Sequence, residues 1–191
     1  MKIEKFKLKG NVEYIVRDSN GKIKKLFQPW NWVNYLIKKG VISPHFKKTP
    51  FIFGYWAPSM KVSNLVVNVG VATLPALVGG TGTVYGAFKY IAVGTATGSP
   101  AASSTSLGAE CFDSGLTRGT STNTAVTTDV ANDTLQLVLS YSVTGTKAIT
   151  ESAIFNHAGT PVGTMLAFQV FAAINVISGD TLQITWKIDF D

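Results

Sequence analysis

The side chains best suited to acid–base, nucleophilic or metal chemistry are few in this 191-residue chain: one cysteine, two histidines and eleven carboxylates. Cys111 stands between Glu110 and Phe112. A catalytic thiol needs a nearby base or cation to lower its pKa, and neither His45 nor His157 falls in a recognisable pattern with it. A lone cysteine in such a setting packs as a small apolar group, and no intrachain disulfide can form. Glycoside hydrolysis needs two carboxylates about 5–10 Å apart. The nearest pairs in sequence, Glu110 with Asp113 and Asp129 with Asp133, both fall in loop-like stretches. Asp129, Asn132 and Asp133 are too sparse for a calcium loop, and no Cys/His spacing fits zinc. Gly79-Gly80-Thr81-Gly82-Thr83 has the glycines of a phosphate loop but lacks the Lys-Ser/Thr that completes one. No catalytic, cofactor-binding or metal-ligating residue is expected, and the chain reads as a non-enzyme.

Lysines and aromatic residues carry more information. Residues 1–61 hold twelve Lys and one Arg against three acids, a net of +10, and residues 62–191 carry a net of −4. Such an asymmetry between halves points to a partner for the basic part. Three readings compete: docking onto an acidic protein surface, a solvated face, and contact with nucleic-acid phosphates. Arg17 is the only arginine there. Arginine is preferred where bidentate phosphate or base contacts matter, so specific nucleic-acid recognition is disfavoured. Only 15% of all residues are charged, which hints at surface buried against other subunits; a neutral Thr/Ser/Asn-rich surface is the plainer explanation. The candidate interface residues are Lys5, Lys7, Lys9, Lys24, Lys25, Lys38 and Lys39, with Trp30, Trp32, Phe51 and Trp56 among them.

These residues must be positioned by the elements around them. Phe6, Leu8, Val12, Tyr14 and Val16 alternate with polar residues, as in half-buried strands. Asp18-Ser19-Asn20-Gly21 supplies a tight turn, and Ile23 to Phe27 would return. Gln28 to Gly40 reads as a short helix, with Pro29 at its first position, Gly40 as its stop, Lys38 and Lys39 against the dipole, and Trp32, Leu36 and Ile37 on one face. Residues 41–61 mix Pro44, Pro50 and Pro58 with Phe46, Phe51, Phe53, Tyr55 and Trp56. Such a segment either packs onto a neighbour or folds over its own core. Asn64 to Leu77 suits a helix or a strand. From Tyr90 the pattern is β: Tyr90 to Val93, Thr124 to Thr128, Leu135 to Val143, Ile149 to Phe155, Met165 to Phe171 and Thr181 to Phe190. The last has an apolar face of Leu182, Ile184, Trp186, Ile188 and Phe190. Glu151 is expected to point outward or to pair with Lys147 or Arg118, and Gly94 and Gly179 to serve turns.

The expected fold is mainly β: an antiparallel β-sandwich, jelly-roll or immunoglobulin-like, with an N-terminal hairpin arm and one or two short helices. The basic arm with its aromatic insertion covers 1–61, a bridging segment 62–83 and the sandwich 84–191, unless the first hairpin pairs into the sandwich to make one domain with an insertion. No run approaches the roughly 20 apolar residues of a membrane span, and the N-terminus lacks the apolar core of a signal peptide.

Four segments together carry a resemblance: Asn64 to Gly70; Tyr90 to Thr95 with its loop to Glu110; Ile149 to Asn156; and Met165 to Ala167 leading to Ile174, then Ser178 to Trp186. In this order they resemble a group of tailed-bacteriophage virion proteins, variously tail-fibre-like, head-decoration or minor structural. The resemblance spans most of the chain except residues 28–61. It implies a β-rich, non-enzymatic structural component of the virion, made in the host cytoplasm. Its expected partners are capsid, portal/neck or tail subunits and further copies of itself, with no specific nucleic acid, membrane or cofactor. The alternative is a receptor- or glycan-binding fibre module, in which exposed Trp and Tyr stack on sugars.

Overall fold

The computed structural model describes residues 8–79 and 86–190. In chain order the elements are β1 (Leu8–Arg17), β2 (Ile23–Lys24), β3 (Leu26–Pro29), α1 (Asn31–Lys38), β4 (Gly54–Ala57), β5 (Met60–Ser63), β6 (Leu65–Val66), α2 (Asn68–Gly79), β7 (Tyr90–Gly94), β8 (Gly119–Thr120), β9 (Thr122–Val126), β10 (Thr134–Ser142), β11 (Lys147–Phe155), β12 (Met165–Val176) and β13 (Thr181–Phe190). Phe6, Lys5, Lys7 and the glycine loop at 80–83 lie outside the described residues.

The strands form two antiparallel sheets and a ribbon. The first sheet runs β2-β1-β13-β10-β9, with β5 also on β1; the second runs β6-β12-β11-β7-β8; β3 and β4 make the ribbon. β13 shows why the alternating pattern is decisive. Leu182, Ile184, Trp186 and Ile188 are each fully buried, while the residues between them face partly outward. A period of two puts alternate side chains on opposite faces, so one face enters the core. Phe190, expected on the same face, emerges at the strand end at 36% exposure.

Residues 8–17 are not part of a separable arm. β1 pairs with β13 along its whole length, from Leu8 opposite Phe190 to Arg17 opposite Thr181, and its other edge takes β2 and β5. The first hairpin therefore belongs to the sandwich, the arrangement the sequence had left open. Its turn is built as expected. Gly21 has φ +79°, and the Asp18 carboxylate accepts the N–H groups of Asn20 and Lys22 at 2.9 and 3.0 Å. The bridging segment ties the two sheets together, because β5 joins β1 while β6 joins β12.

The sheets meet over a core of Val12, Tyr14, Leu137, Ile184, Trp186, Ile149 and Phe171 among others. Directed contacts link them across the interior. The Tyr141 hydroxyl donates to the Ile91 carbonyl at 2.7 Å, the Trp186 indole N–H donates to Ser152 Oγ at 3.3 Å, and the Tyr14 and Phe171 rings lie 4.3 Å apart. β12 is buried at every position from Met165 to Ile174. A strand covered on both faces loses its alternation, which is why only Met165 to Phe171 was legible. Its second face is covered by α1, α2 and β3. α2 approaches so closely that a Cβ on Gly70 would run into the Leu166 backbone.

Glu151 departs from both expectations. It is 1% exposed, and its carboxylate accepts backbone N–H groups from Ala96, Gly108 and Ala109 at 3.3, 3.0 and 2.8 Å. The loop after β7 thus folds down onto β11. Gly94 is not a turn glycine: it leaves room for this carboxylate, which a Cβ there would strike. Gly179, with φ +90°, does serve a turn. Arg118 and Lys147 go elsewhere, Arg118 to Glu110 at 2.8 Å and Lys147 to Asp113 at 2.9 Å.

Candidate interaction surface

Residues 26–57 form a lobe on the outer side of β12. Its inner half is a cover. α1 turns Val33 and Ile37 inward, both fully buried. They are four residues apart, so they share one helix face. The expected face of Trp32, Leu36 and Ile37 is rotated from this, and Trp32 is 49% exposed. Pro29 ends β3 rather than starting the helix, whose N-cap is Trp30, while Gly40 at φ +70° stops it as expected. Beyond α1, the Ala173 N–H of β12 donates to the Pro44 carbonyl at 2.9 Å, and Lys48 Nζ donates to the Ala173 carbonyl at 2.5 Å. The Gln28 side chain clasps β5, giving 3.0 Å to the Lys61 carbonyl and taking 2.6 Å from the Lys61 N–H. The segment is in this sense a loop folded over its own core.

The rest of it exposes large aromatic side chains, Tyr55 and Trp56 on opposite sides of the ribbon. Trp30 is 39% exposed, Trp32 49%, Tyr35 59%, Tyr55 44%, Trp56 48% and Phe51 91%. Buried Phe27 and half-buried Phe53 pack against two of them, with half-buried Phe46 joining the pair. Phe27 packs edge-on against Phe46 and Trp56 at 5.8 and 5.5 Å, Phe53 meets Phe46 and Trp32 at 5.7 and 6.0 Å, and Trp30 leans on Tyr55 at 5.1 Å. The tip at Phe51 is unusual on two counts. Its φ is +65°, in the left-handed region that a bulky residue avoids, and its ring has almost no cover. Hydrogen bonds from Phe51 N–H to the Gly54 carbonyl (2.8 Å) and from Phe53 N–H to the Thr49 carbonyl (3.1 Å) hold this conformation. Backbone strain together with an exposed large hydrophobe marks a place where surface is kept for contact.

The candidate lysines divide. Lys24 forms an ion pair with Asp180 at 2.7 Å, and Lys38 donates to the Ser63 carbonyl and hydroxyl at 2.6 and 2.8 Å, its pKa lowered by burial. Lys24, on β2, makes its contact within the sandwich, while Lys38 on α1 holds the lobe to it. Lys39 is exposed, its ammonium 5.7 Å from the Tyr35 ring centre, and Lys25 is exposed near the ribbon. Lys9 stands on β1 opposite Asp189 of β13, away from the lobe. The lobe therefore carries Trp30, Trp32, Phe51, Trp56 and Lys39, with Lys25 just before it. Tyr35, Tyr55 and Ile52 join them without having been singled out. The four-residue spacing of Val33 and Ile37 was the signal that would have placed Tyr35 outside.

Cys111, Glu110 and Asp133 are held in structural contacts. Cys111 is 5% exposed, and burial raises its pKa. Arg118 grips Glu110 with two nitrogens at 2.9 and 2.8 Å, reaches the carbonyls of His157, Gly159 and Val162, and lies over the Phe155 ring at 3.7 Å. Asp133 accepts the N–H groups of Thr128, Asp129 and Val130, which hold its pKa well below the usual carboxylate range. Among the described residues no three His, Cys, Asp or Glu come together as a metal site would require, and no helix is long and apolar enough to cross a membrane. Comparison with protein-family models, curated proteins and solved structures finds no match to this chain.

Proposed function

We propose that this chain is a non-enzymatic structural protein of a tailed-phage virion, a head decoration or cement protein or a neck or tail accessory, which docks through its aromatic lobe onto another virion subunit. The observation that carries this reading is the concentration of exposed rings on the lobe: six aromatic side chains, each at least 39% exposed. Aromatic residues presented this way are the usual anchors of protein interfaces. The exposed Lys25, Lys39 and Lys47 around them suit an acidic partner rim. The resemblance to virion proteins supports the location. Its segments form β6, β7, β11, β12 and β13, the body of the sandwich, and leave the lobe outside. The lobe is then the part peculiar to this protein that selects its partner.

The half-exposed indoles of Trp30, Trp32 and Trp56 favour one second reading, a glycan-binding fibre module in which these rings stack on sugars. Cross-linking mass spectrometry on purified virions separates the two. Links from Lys25, Lys39 and Lys47 to capsid, neck or tail subunits are the expected outcome. Absence of the protein from clean virions overturns the structural reading. Uncross-linked lobes on intact particles, with affinity for host polysaccharide, favour the second.

A further inference from the structure

Beside Trp56, a cleft of about 220 Å³ opens between β3 and the C-terminal end of β12. Phe27 and Ile174 line its apolar part, Trp56 forms a wall, and three lysines converge on it: Lys24, Lys25 and Lys48. Their charges are not balanced. Asp180 neutralises Lys24 at 2.7 Å, and its other contact is the Ile177 N–H. Lys48 is only partly exposed, and its ammonium donates to the neutral Ala173 carbonyl. Lys25 stands exposed at the rim. Among the described residues neither has a carboxylate within 4.0 Å. A cation drawn partly out of water without a counter-charge is poorly stabilised, and burial does lower the Lys48 pKa. An incoming anion would relieve this.

We infer that this cleft binds an acidic, extended protein segment, with glutamate side chains placing carboxylates on Lys25 and Lys48 and methylenes against Trp56. This rests on the proposed docking role and locates part of it. Three features select a glutamate over a phosphate. The apolar wall and floor suit an aliphatic stem, the cleft lacks the arginine fork that favours phosphate, and its volume fits one or two side chains rather than a nucleotide. The partner is therefore a protein whose docking segment is acidic.

The test is fluorescence anisotropy of a labelled hexaglutamate peptide titrated with the full chain. Saturable binding is expected, absent with hexaglutamine and weakened about ten-fold by Lys25→Glu and by Lys48→Met, the effect of losing one charge-assisted contact. Lys48→Arg should retain most of the affinity. If Lys48→Met fails to fold, Lys25→Glu at its exposed position decides alone. No saturable binding, undiminished binding by Lys25→Glu, or displacement by equimolar pyrophosphate each overturns the inference. Virion location is not read by this titration. A protein found cross-linked in virions that ignores hexaglutamate loses only the cleft assignment; one absent from virions that binds it loses only the virion role.

Discussion

In the sandwich, Trp186 is enclosed between two sheets and its indole N–H reaches Ser152; in the lobe, Trp30, Trp32 and Trp56 keep 39–49% of their surface in solvent. The same contrast holds for charge. Glu151 is buried with three backbone N–H donors around it, whereas Lys25 and Lys48 meet no carboxylate among the described residues. The sandwich encloses its indole and its carboxylate, whereas the lobe and the lysine just before it leave large apolar and cationic groups in solvent. Free energy not used in folding remains for association, so the two regions should respond oppositely to the same kind of substitution.

The largest expected effect is on the core indole. Trp186→Ala removes a fully buried side chain from the centre of β13 and should destabilise the protein by about 3–5 kcal/mol, while Trp32→Ala should change stability by less than about 1 kcal/mol and instead weaken attachment to the partner. Urea denaturation of both variants checks this, and equal losses would erase the contrast. Next is Glu151→Ala. It strands the N–H groups of Ala96, Gly108 and Ala109 and should lose about 3 kcal/mol or more, with increased amide exchange in the loop between β7 and β8.

A pH experiment sharpens the comparison. Tyr14 is fully buried and its pKa is raised well above 10 by desolvation; its hydroxyl lies near Ser152 without completing a hydrogen bond. The folded state therefore holds this proton more tightly than the unfolded chain. The stability it contributes is present below the unfolded pKa of about 10 and falls as pH rises beyond it. Tyr14→Phe should leave stability at pH 7 nearly unchanged and move alkaline unfolding, followed by circular dichroism, to higher pH. An unchanged alkaline midpoint would mean that Tyr14 is not the group that titrates. The smallest effect is at the tip. Phe51→Asn fits the left-handed backbone better and should raise stability by up to about 1 kcal/mol, while lowering affinity for the partner. Loss on both counts would remove the argument that strain is kept there for contact.

Much of the sandwich was legible because its signals are local. Asn20-Gly21 can supply a tight turn wherever it occurs, and the alternation of β13 needs no knowledge of what covers it. The lobe was legible only in composition. Its lysines and tryptophans stood out, but nothing in a run of Lys and Trp tells which side chain snorkels back onto the fold, as Lys24 and Lys38 do, and which remains outside. Glu151 was misplaced for a related reason: its partners are backbone N–H groups of residues 96, 108 and 109, which carry no side-chain signature.

Residue type and short-range spacing suffice for the β class, the turns at Gly21 and Gly179, the buried face of β13 and the concentration of positive charge before residue 61. That β1 lies inside the first sheet, that β12 is covered on both faces, that Glu151 is caged by N–H groups, and that three lysines from two distant segments share one cleft are visible only in the folded chain. Those facts depend on which elements meet across long stretches of chain, and pairing of that kind is set by the burial of whole faces rather than by any local run of residues.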